Sequence, residues 1–246
     1  MHRTPFAAWL VLTNLLLGTL PGQAFTLTPI SATLTPKGFG AATAFRVENE
    51  SSNRIAFQVS IVTRDMDEHG QETYLPATNL FTVFPPQGII APGQNQNLRL
   101  VWKGPANLTN ELAFRIIAEE LPVAFAQESK ESQIKLLVRY MGTVYVRPAK
   151  AKPLLQTVSL VKAADNSSTT NLYELTLLNS GNAHQGLKNP TLKITAAPGQ
   201  ETSLTNSQLN TVEGQNVLAH HTRRFSVALP ADLTAPVYPA LLMVDE

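Results

Sequence analysis

The sequence predicts an all-β protein built from two immunoglobulin-like β-sandwich domains in tandem. Three observations lead to this fold class. Short runs alternate apolar and polar residues with period two, Pro, Gly and Asn clusters separate them, and no segment of helical length carries a 3.6-residue apolar stripe. The 246-residue chain contains no cysteine, so hydrophobic cores rather than disulfides must hold these domains together.

Residues 1–24 have the pattern of a secretory signal peptide. Arg3 supplies a basic start, an apolar run follows from Ala7, and the small residues around Gly22 and Ala24 predict cleavage after Ala24. A membrane anchor is the less favoured alternative, because the apolar run is short and Pro21 interrupts it.

Residues 25–147 are predicted to form the first domain, with spacing typical of one antiparallel sandwich. In chain order, its seven candidate strands are FTLTPISATL (25–34), TAFRVEN (43–49), RIAFQVSIVTRDMD (54–67), LFTVF (80–84), QNLRLVW (96–102), ELAFRIIAEELP (111–122) and SQIKLLVRYMGTVYVRP (132–148). Turn signals such as Pro-Lys-Gly, His-Gly, Pro-Pro and Pro-Gly stand between them.

Residues 148–153, PAKAKP, are predicted to be the linker, because their prolines cannot continue a central strand. Residues 154–246 then form a smaller second sandwich. Its candidate strands are LLQTVSLVKA (154–163), NLYELTLLNS (171–180), PTLKITAA (190–197), QNVLAHHTRRFSVALP (215–230) and PALLMVDE (239–246).

Composition argues against several functions. Lys and Arg number 19 against 18 Asp and Glu, so no global field favours nucleic acid or anionic lipid. After the predicted signal peptide, no apolar run is long enough to insert into a membrane.

No constellation of residues indicates catalysis, a metal site or a cofactor. His69 and His184 lie in turn-like segments, and His220 and His221 are adjacent on a predicted strand, where their side chains point to opposite faces. The pair Asp65 and Asp67 flanks a turn, which is typical of solvated charge. We therefore predict that the protein is not an enzyme, although a β-sandwich hydrolase is an alternative that lacks a candidate active site.

The strand at 132–148 is unusually long and apolar. Its alternation places four apolar side chains on one face, namely Ile134, Leu136, Val138 and Tyr140. This face fills either the core of its own domain or a groove in another protein.

Several stretches, in this order and spacing, resemble one family across nearly the whole chain after residue 24: the periplasmic chaperones that assemble bacterial pili through the chaperone–usher pathway. In the first domain they are NLFTVFPPQGIIAPGQNQNLRLVW (79–102), FRIIAEELP (114–122) and IKLLVRYMGTVYVRP (134–148). In the second domain, LLNSGNAHQG (177–186) and VLAHHTRRFSV (217–227) resemble the archaic, or sigma-type, branch.

This resemblance implies a boomerang of two immunoglobulin-like domains in the periplasm and a role in fimbrium biogenesis. The partners are pilin or fimbrial subunits that lack a final strand, and an outer-membrane usher that receives them. The seventh strand is lent to the subunit without ATP, so Ile134, Leu136, Val138 and Tyr140 become the donated side chains. Self-association of the subunit-free protein is a further implied possibility.

The resemblance also implies an anchor for the subunit's C-terminal carboxylate. The family's usual arginine and lysine positions correspond to Ser31 and Thr143, neither of which is basic. The candidates that remain are Arg115, then Arg139 and Lys135. A guanidinium is the better choice because it can grip a carboxylate through two parallel hydrogen bonds.

A charge cluster between the domains is the last expectation from the family. Arg99 and Arg147 correspond to its two arginines, and Asp245 is the expected acidic partner. The competing functional class is a secreted two-domain adhesin or ligand-binding protein, which would carry surface aromatics or acidic metal loops.

Overall fold

Almost all regular structure in the computed structural model is β-strand, over the residues that it describes: 25–123, 137–164 and 171–245. The predicted signal peptide and Ile134, Lys135 and Leu136 lie outside these ranges. No helix within them is long and apolar enough to cross a membrane.

The N-terminal domain is a sandwich of two sheets. One sheet has the order β1 (Phe25–Thr28), β3 (Ala42–Asn49), β9 (Asn95–Trp102), β7 (Phe81–Phe84). The other has the order β2 (Ser31–Leu34), β11 (Arg139–Val146), β10 (Leu112–Leu121), β4 (Ile55–Thr63), β8 (Gln87–Ile90). A separate hairpin joins β5 (Asp65–Met66) to β6 (Glu72–Thr73), and a short 3-10 turn spans Phe39–Ala41.

The C-terminal domain carries the remaining strands. Its two three-stranded sheets have the orders β12 (Leu155–Lys162), β13 (Leu172–Asn179), β18 (Thr222–Ala228), and β16 (Gln200–Leu204), β15 (Lys188–Ala197), β19 (Ala240–Asp245). A two-stranded ladder pairs β14 (Gln185–Gly186) with β17 (Asn216–Val217), and a 3-10 turn covers Asn206–Gln208.

Each domain has its own hydrophobic core, which confirms the predicted fold of two sandwiches. Inward-facing residues of both sheets alternate into the first core, where Phe45, Phe57 and Phe114 are fully buried. The second core is centred on Tyr173, whose hydroxyl donates to the backbone oxygens of Leu233 and Ala235 at 3.1 and 2.6 Å.

The first predicted strand, residues 25–34, is two strands in different sheets. β1 pairs antiparallel with β3, whereas β2 pairs parallel with β11. The change occurs at Pro29, which has no N–H to donate to a ladder. The switch places Ser31 beside the last strand of the domain.

The prediction for His220 and His221 is wrong. Both lie in the turn before β18 rather than on a strand, and His220 has a φ of 61°. His221 reaches across to the N-terminal domain instead of standing on a sheet face.

Candidate functional site

The first half of β11 has a free backbone edge. β10 pairs with β11 from Arg139 to Val146, but β2 pairs with it only from Thr143 onward. Within the described residues, the segment 139–142 therefore has a strand neighbour on one side only. Such an edge presents N–H and C=O groups that can template another strand.

The alternation of backbone groups shows which residues face that edge. The N–H of Thr143 donates to the Ile30 oxygen on the β2 side at 2.8 Å, while the oxygen of Val138 accepts from Glu120 on the β10 side at 2.9 Å. Because strands alternate with period two, the N–H and C=O groups of Arg139 and Met141 point to the side where β2 has not yet begun.

Side chains of the predicted donor face pack partly against their own domain. Val138 and Tyr140 are half-buried against the first core, and the ring of Tyr140 lies 6.0 Å from that of Phe25. Leu137, on the opposite face, is 47% exposed. Ile134 and Leu136 lie outside the described residues. For these two residues, both alternatives stand: packing in the core of their own domain, or insertion into a groove of another protein.

Ser31, Thr143 and Arg115 form one row across three adjacent strands. Thr143 is the register partner of Ser31 in β2 and of Arg115 in β10. Cross-strand partners project to the same face of a sheet. The structure thus brings the two positions of the family's usual anchor next to the best replacement candidate, and the Arg115 guanidinium donates to the Thr143 hydroxyl.

Arg115 already holds an internal carboxylate. Its Nε and Nη2 donate to the two oxygens of Glu72 at 2.9 and 2.6 Å, which is a bidentate pair. Glu72 also accepts from Arg64 Nε at 2.8 Å and from the Tyr74 hydroxyl at 2.8 Å. Burial on its own raises the pKa of Glu72, but these hydrogen bonds and the two guanidinium charges lower the pKa to about 2.

Of the other two anchor candidates, the structure describes Arg139 but not Lys135. Arg139 is largely exposed, and its Nε lies 3.8 Å from Glu119 Oε2. Lys135 lies outside the described residues.

A buried carboxylate, Glu111, joins the two domains. Its Oε1 lies 2.6 Å from His184 Nδ1 and accepts from the His184 backbone at 2.9 Å, while its Oε2 accepts from Arg147. The His184 ring stacks on Tyr145 at 3.6 Å. Burial favours the neutral acid, yet these partners outweigh burial and lower the pKa of Glu111.

The predicted cluster of Arg99, Arg147 and Asp245 is not formed within the described residues. Arg99 lies in the other sheet of the N-terminal domain, where its exposed side chain lines a shallow groove with Phe84 and Pro85. Asp245 is exposed and accepts from Asn189 at 2.7 Å. Arg147 does sit at the domain junction, but its acidic partner there is Glu111.

The β5–β6 hairpin makes a second connection between the domains. Asp65 contacts His221 Nε2 at 2.7 Å, and Glu68 contacts Arg224 Nε at 2.8 Å. The Arg224 backbone N–H also donates to the Glu68 oxygen at 2.7 Å. Asp65 and Asp67 are exposed, as expected for solvated charge, and Asp65 in addition pairs with His221 of the C-terminal domain.

Sequence reasoning missed Glu72, Glu111 and His184. Their partners lie 43, 36 and 73 residues away along the chain, for the pairs Glu72–Arg115, Glu111–Arg147 and His184–Glu111. The one local signal is that Glu111 immediately precedes a strongly apolar strand, where an isolated acid needs a partner.

Comparison with known proteins agrees with this architecture. The fold and the domain junction together place this protein in the class of two-domain immunoglobulin-like β-sandwich proteins. Residues 31–152 match the family described as pili and flagellar-assembly chaperone, PapD N-terminal domain. Through this domain the chain belongs to the pilus-assembly chaperones. No curated protein matches the sequence.

Solved structures with the same fold include three chaperone structures. The class 5 fimbriae chaperone CfaA is 15% identical with a TM-score of 0.55, covering 91% of this chain and all of its own. A chain of the CsuC–CsuE chaperone–tip adhesion subunit pre-assembly complex from archaic Csu pili of Acinetobacter baumannii is 21% identical, with a TM-score of 0.59 and coverages of 85% and 89%. A chain of the Salmonella enterica SafA pilin–SafB chaperone complex is 15% identical, with a TM-score of 0.53 and coverages of 90% and 96%.

Proposed function

We propose that this protein is an ATP-independent periplasmic chaperone that binds pilus subunits by donor-strand complementation and delivers them to an outer-membrane usher. The observation that carries the proposal is the free edge at Arg139–Gly142 beside the row of Ser31, Thr143 and Arg115. A subunit strand added at this edge extends the five-stranded sheet, as in β-augmentation. The CsuC–CsuE and SafA–SafB complexes, in which related folds hold a subunit, support this reading.

In this proposal, the strand's apolar face fills the groove of the subunit. The donated residues are Ile134, Leu136, Val138 and Tyr140. Burying four such side chains contributes about 6–12 kcal/mol before ordering costs, at about 1.5–3 kcal/mol each. Because Val138 and Tyr140 are already half-buried in their own domain, each of them contributes less than a fully exposed side chain would.

The proposed carboxylate anchor is Arg115. A guanidinium has five N–H donors, and Glu72 and Thr143 use three of those on Arg115. Counted over the part of the chain that the structure describes, one donor on Nη1 and one on Nη2 remain for a subunit carboxylate. Two guanidiniums, those of Arg64 and Arg115, share the single carboxylate of Glu72, so a second carboxylate would neutralise the excess positive charge.

We also place the protein in the archaic branch. Its support is the resemblance of residues 177–186 and 217–227 to the archaic, or sigma-type, chaperones.

Co-expression with the pilin encoded beside its gene tests the proposal. Wild type and Leu137→Asp should yield soluble pilin in a one-to-one complex, and Leu136→Asp should not. Leu137 is the matched control because it is the adjacent leucine on the opposite face. If Leu136→Asp folds and rescues pilin as well as wild type, the donor-strand reading is wrong and an adhesive or ligand-binding role becomes the better account.

A further inference from the structure

The β5–β6 hairpin touches both the proposed subunit-binding row and the C-terminal domain. On one side, Glu72 of this hairpin holds Arg115. On the other, Asp65 and Glu68 pair with His221 and Arg224 of the C-terminal domain. Nine residues, 65–73, therefore link two places that are far apart in sequence.

Local hydrogen bonds and a glycine with positive φ stabilise the turn of the hairpin. Asp67 Oδ1 accepts from the backbone of His69 and Gln71 at 2.9 and 2.8 Å, which closes the turn. Gly70 has a φ of 88°, a conformation that glycine adopts without strain. A preformed turn allows movement at one end to be transmitted to the other.

The contact at the centre of the hairpin is tight. A Cβ added to Gly70 would lie 2.5 Å from Nη2 of Arg223. Arg223 is 4% exposed and donates from Nη1 to the Asn216 oxygen at 2.9 Å. The hairpin thus packs directly on a buried guanidinium of the C-terminal domain.

Glu72 is the point at which these contacts meet. Through Oε1 it binds Arg64, which is 8% exposed and continues to the Tyr145 hydroxyl at 3.0 Å and to Asn216 Oδ1 at 3.3 Å. Asn216 belongs to the C-terminal domain and itself donates to Tyr145 at 2.8 Å. One carboxylate therefore fixes Arg115 in the row and Arg64 at the domain interface.

We propose that Glu72 is a positioning residue for subunit binding, which holds Arg115 toward the subunit's carboxylate and, through Arg64 and the hairpin, ties that position to the C-terminal domain. This inference rests on the proposed function. Glu72 stays in place when the subunit binds, because displacing it would leave two guanidiniums without their shared carboxylate. Subunit binding and the relative position of the domains are coupled by this network.

Glu72→Gln tests the role by removing the charge while keeping the size of the side chain. With the neighbouring pilin as probe, the half-life of the diluted chaperone–pilin complex should fall about tenfold, within the range for residues of one ion-pair network. Adding Arg115→Ala should cause little further loss, because both changes remove the same anchor. Glu72→Asp, which restores the charge, should recover part of the half-life.

Glu48→Gln is the matched control, since Glu48 pairs with Arg46 on β3 in the other sheet of the N-terminal domain and belongs neither to the hairpin nor to the domain junction. It should leave the half-life close to that of wild type. A half-life of Glu72→Gln equal to or longer than that of wild type overturns the inference, and a longer one means that Glu72 competes with the subunit for Arg115.

A second measurement does not depend on a subunit. The chain has no cysteine, so spin labels at Asn97→Cys and Glu201→Cys report the distance between the domains without background. Glu72→Gln should broaden this distance distribution, and an unchanged distribution contradicts the tie between the domains. If wild type binds no pilin, the proposed function fails and the positioning role fails with it, whereas the spin-label result still decides whether Glu72 links the domains.

Discussion

Single carboxylates determine how this protein is held together at its junction. Glu72 contacts two arginines, Glu111 contacts an arginine and a histidine, and both carboxylates are mostly buried. A buried ion pair need not add stability compared with apolar packing, but removing one member leaves an uncompensated charge. These two positions are therefore sensitive to substitution and to acid.

Acid should destabilise the protein through these carboxylates. The pKa of Glu72 is lowered from 4.5 to about 2 on folding, and the pKa values of Glu111 and Asp65 are lowered too. A lowered pKa gives stability that is complete above the unfolded value and is lost as the pH falls from about 4.5 toward 2. Urea unfolding between pH 7 and pH 2 measures this loss.

Glu72→Gln is the comparison for the acid effect. The variant should be less stable at pH 7 and should lose less stability on acidification, because one of the responsible groups is gone. Parallel pH profiles for the variant and wild type would contradict the assignment to Glu72.

Among the elements, the β5–β6 hairpin was the least visible in the sequence. Period-two alternation predicted the long strands β3, β4, β9 and β10 well, because packing of an inward face dictates that pattern. It did not reveal the switch between β1 and β2, or where β11 gains its second neighbour. Those features depend on which strands meet, and pairing is a property of the folded chain.

Gly70→Ala tests the hairpin as a connection between the domains. Gly214 is the matched control, since it has a similar φ of 74° but no atom within 4 Å of an added Cβ. Left-handed backbone costs a non-glycine residue about 1–2 kcal/mol, which Gly214→Ala should show by itself. Gly70→Ala should lose more free energy of unfolding, because its methyl group also meets Arg223. Equal losses in urea unfolding would show that the packing against Arg223 is not needed.

At the scale of the whole molecule, the sequence predicted the two sandwiches and their family but not the contacts between them. The expected cluster of Arg99, Arg147 and Asp245 rested on correspondence with relatives, and only Arg147 lies at the junction. Glu111 and His184 are contributed by different domains, 73 residues apart. No local sequence pattern indicates a contact between residues of different domains, because such a contact depends on how the folded domains pack.

Glu111→Gln should loosen the domain junction while Arg99→Ala leaves it unchanged. Glu111 has 2% of its side chain exposed, and its loss should cost about 2 kcal/mol, as for a hydrogen bond to a charged group. Small-angle scattering should show a broader, more extended particle for Glu111→Gln only. An expanded particle for Arg99→Ala would contradict this expectation and would support the predicted cluster of Arg99, Arg147 and Asp245.

The central claim is that a pilus subunit adds a strand to the free edge of β11. Hydrogen–deuterium exchange at single-residue resolution, in the free protein and in its complex with pilin, tests it most directly. The N–H groups of Arg139 and Met141 face the free edge, whereas those of Tyr140 and Gly142 face β10. The account predicts that pilin slows exchange at Arg139 and Met141 by orders of magnitude and changes Tyr140 and Gly142 much less. Unchanged exchange at Arg139 and Met141 in a stable complex would show that the subunit binds elsewhere.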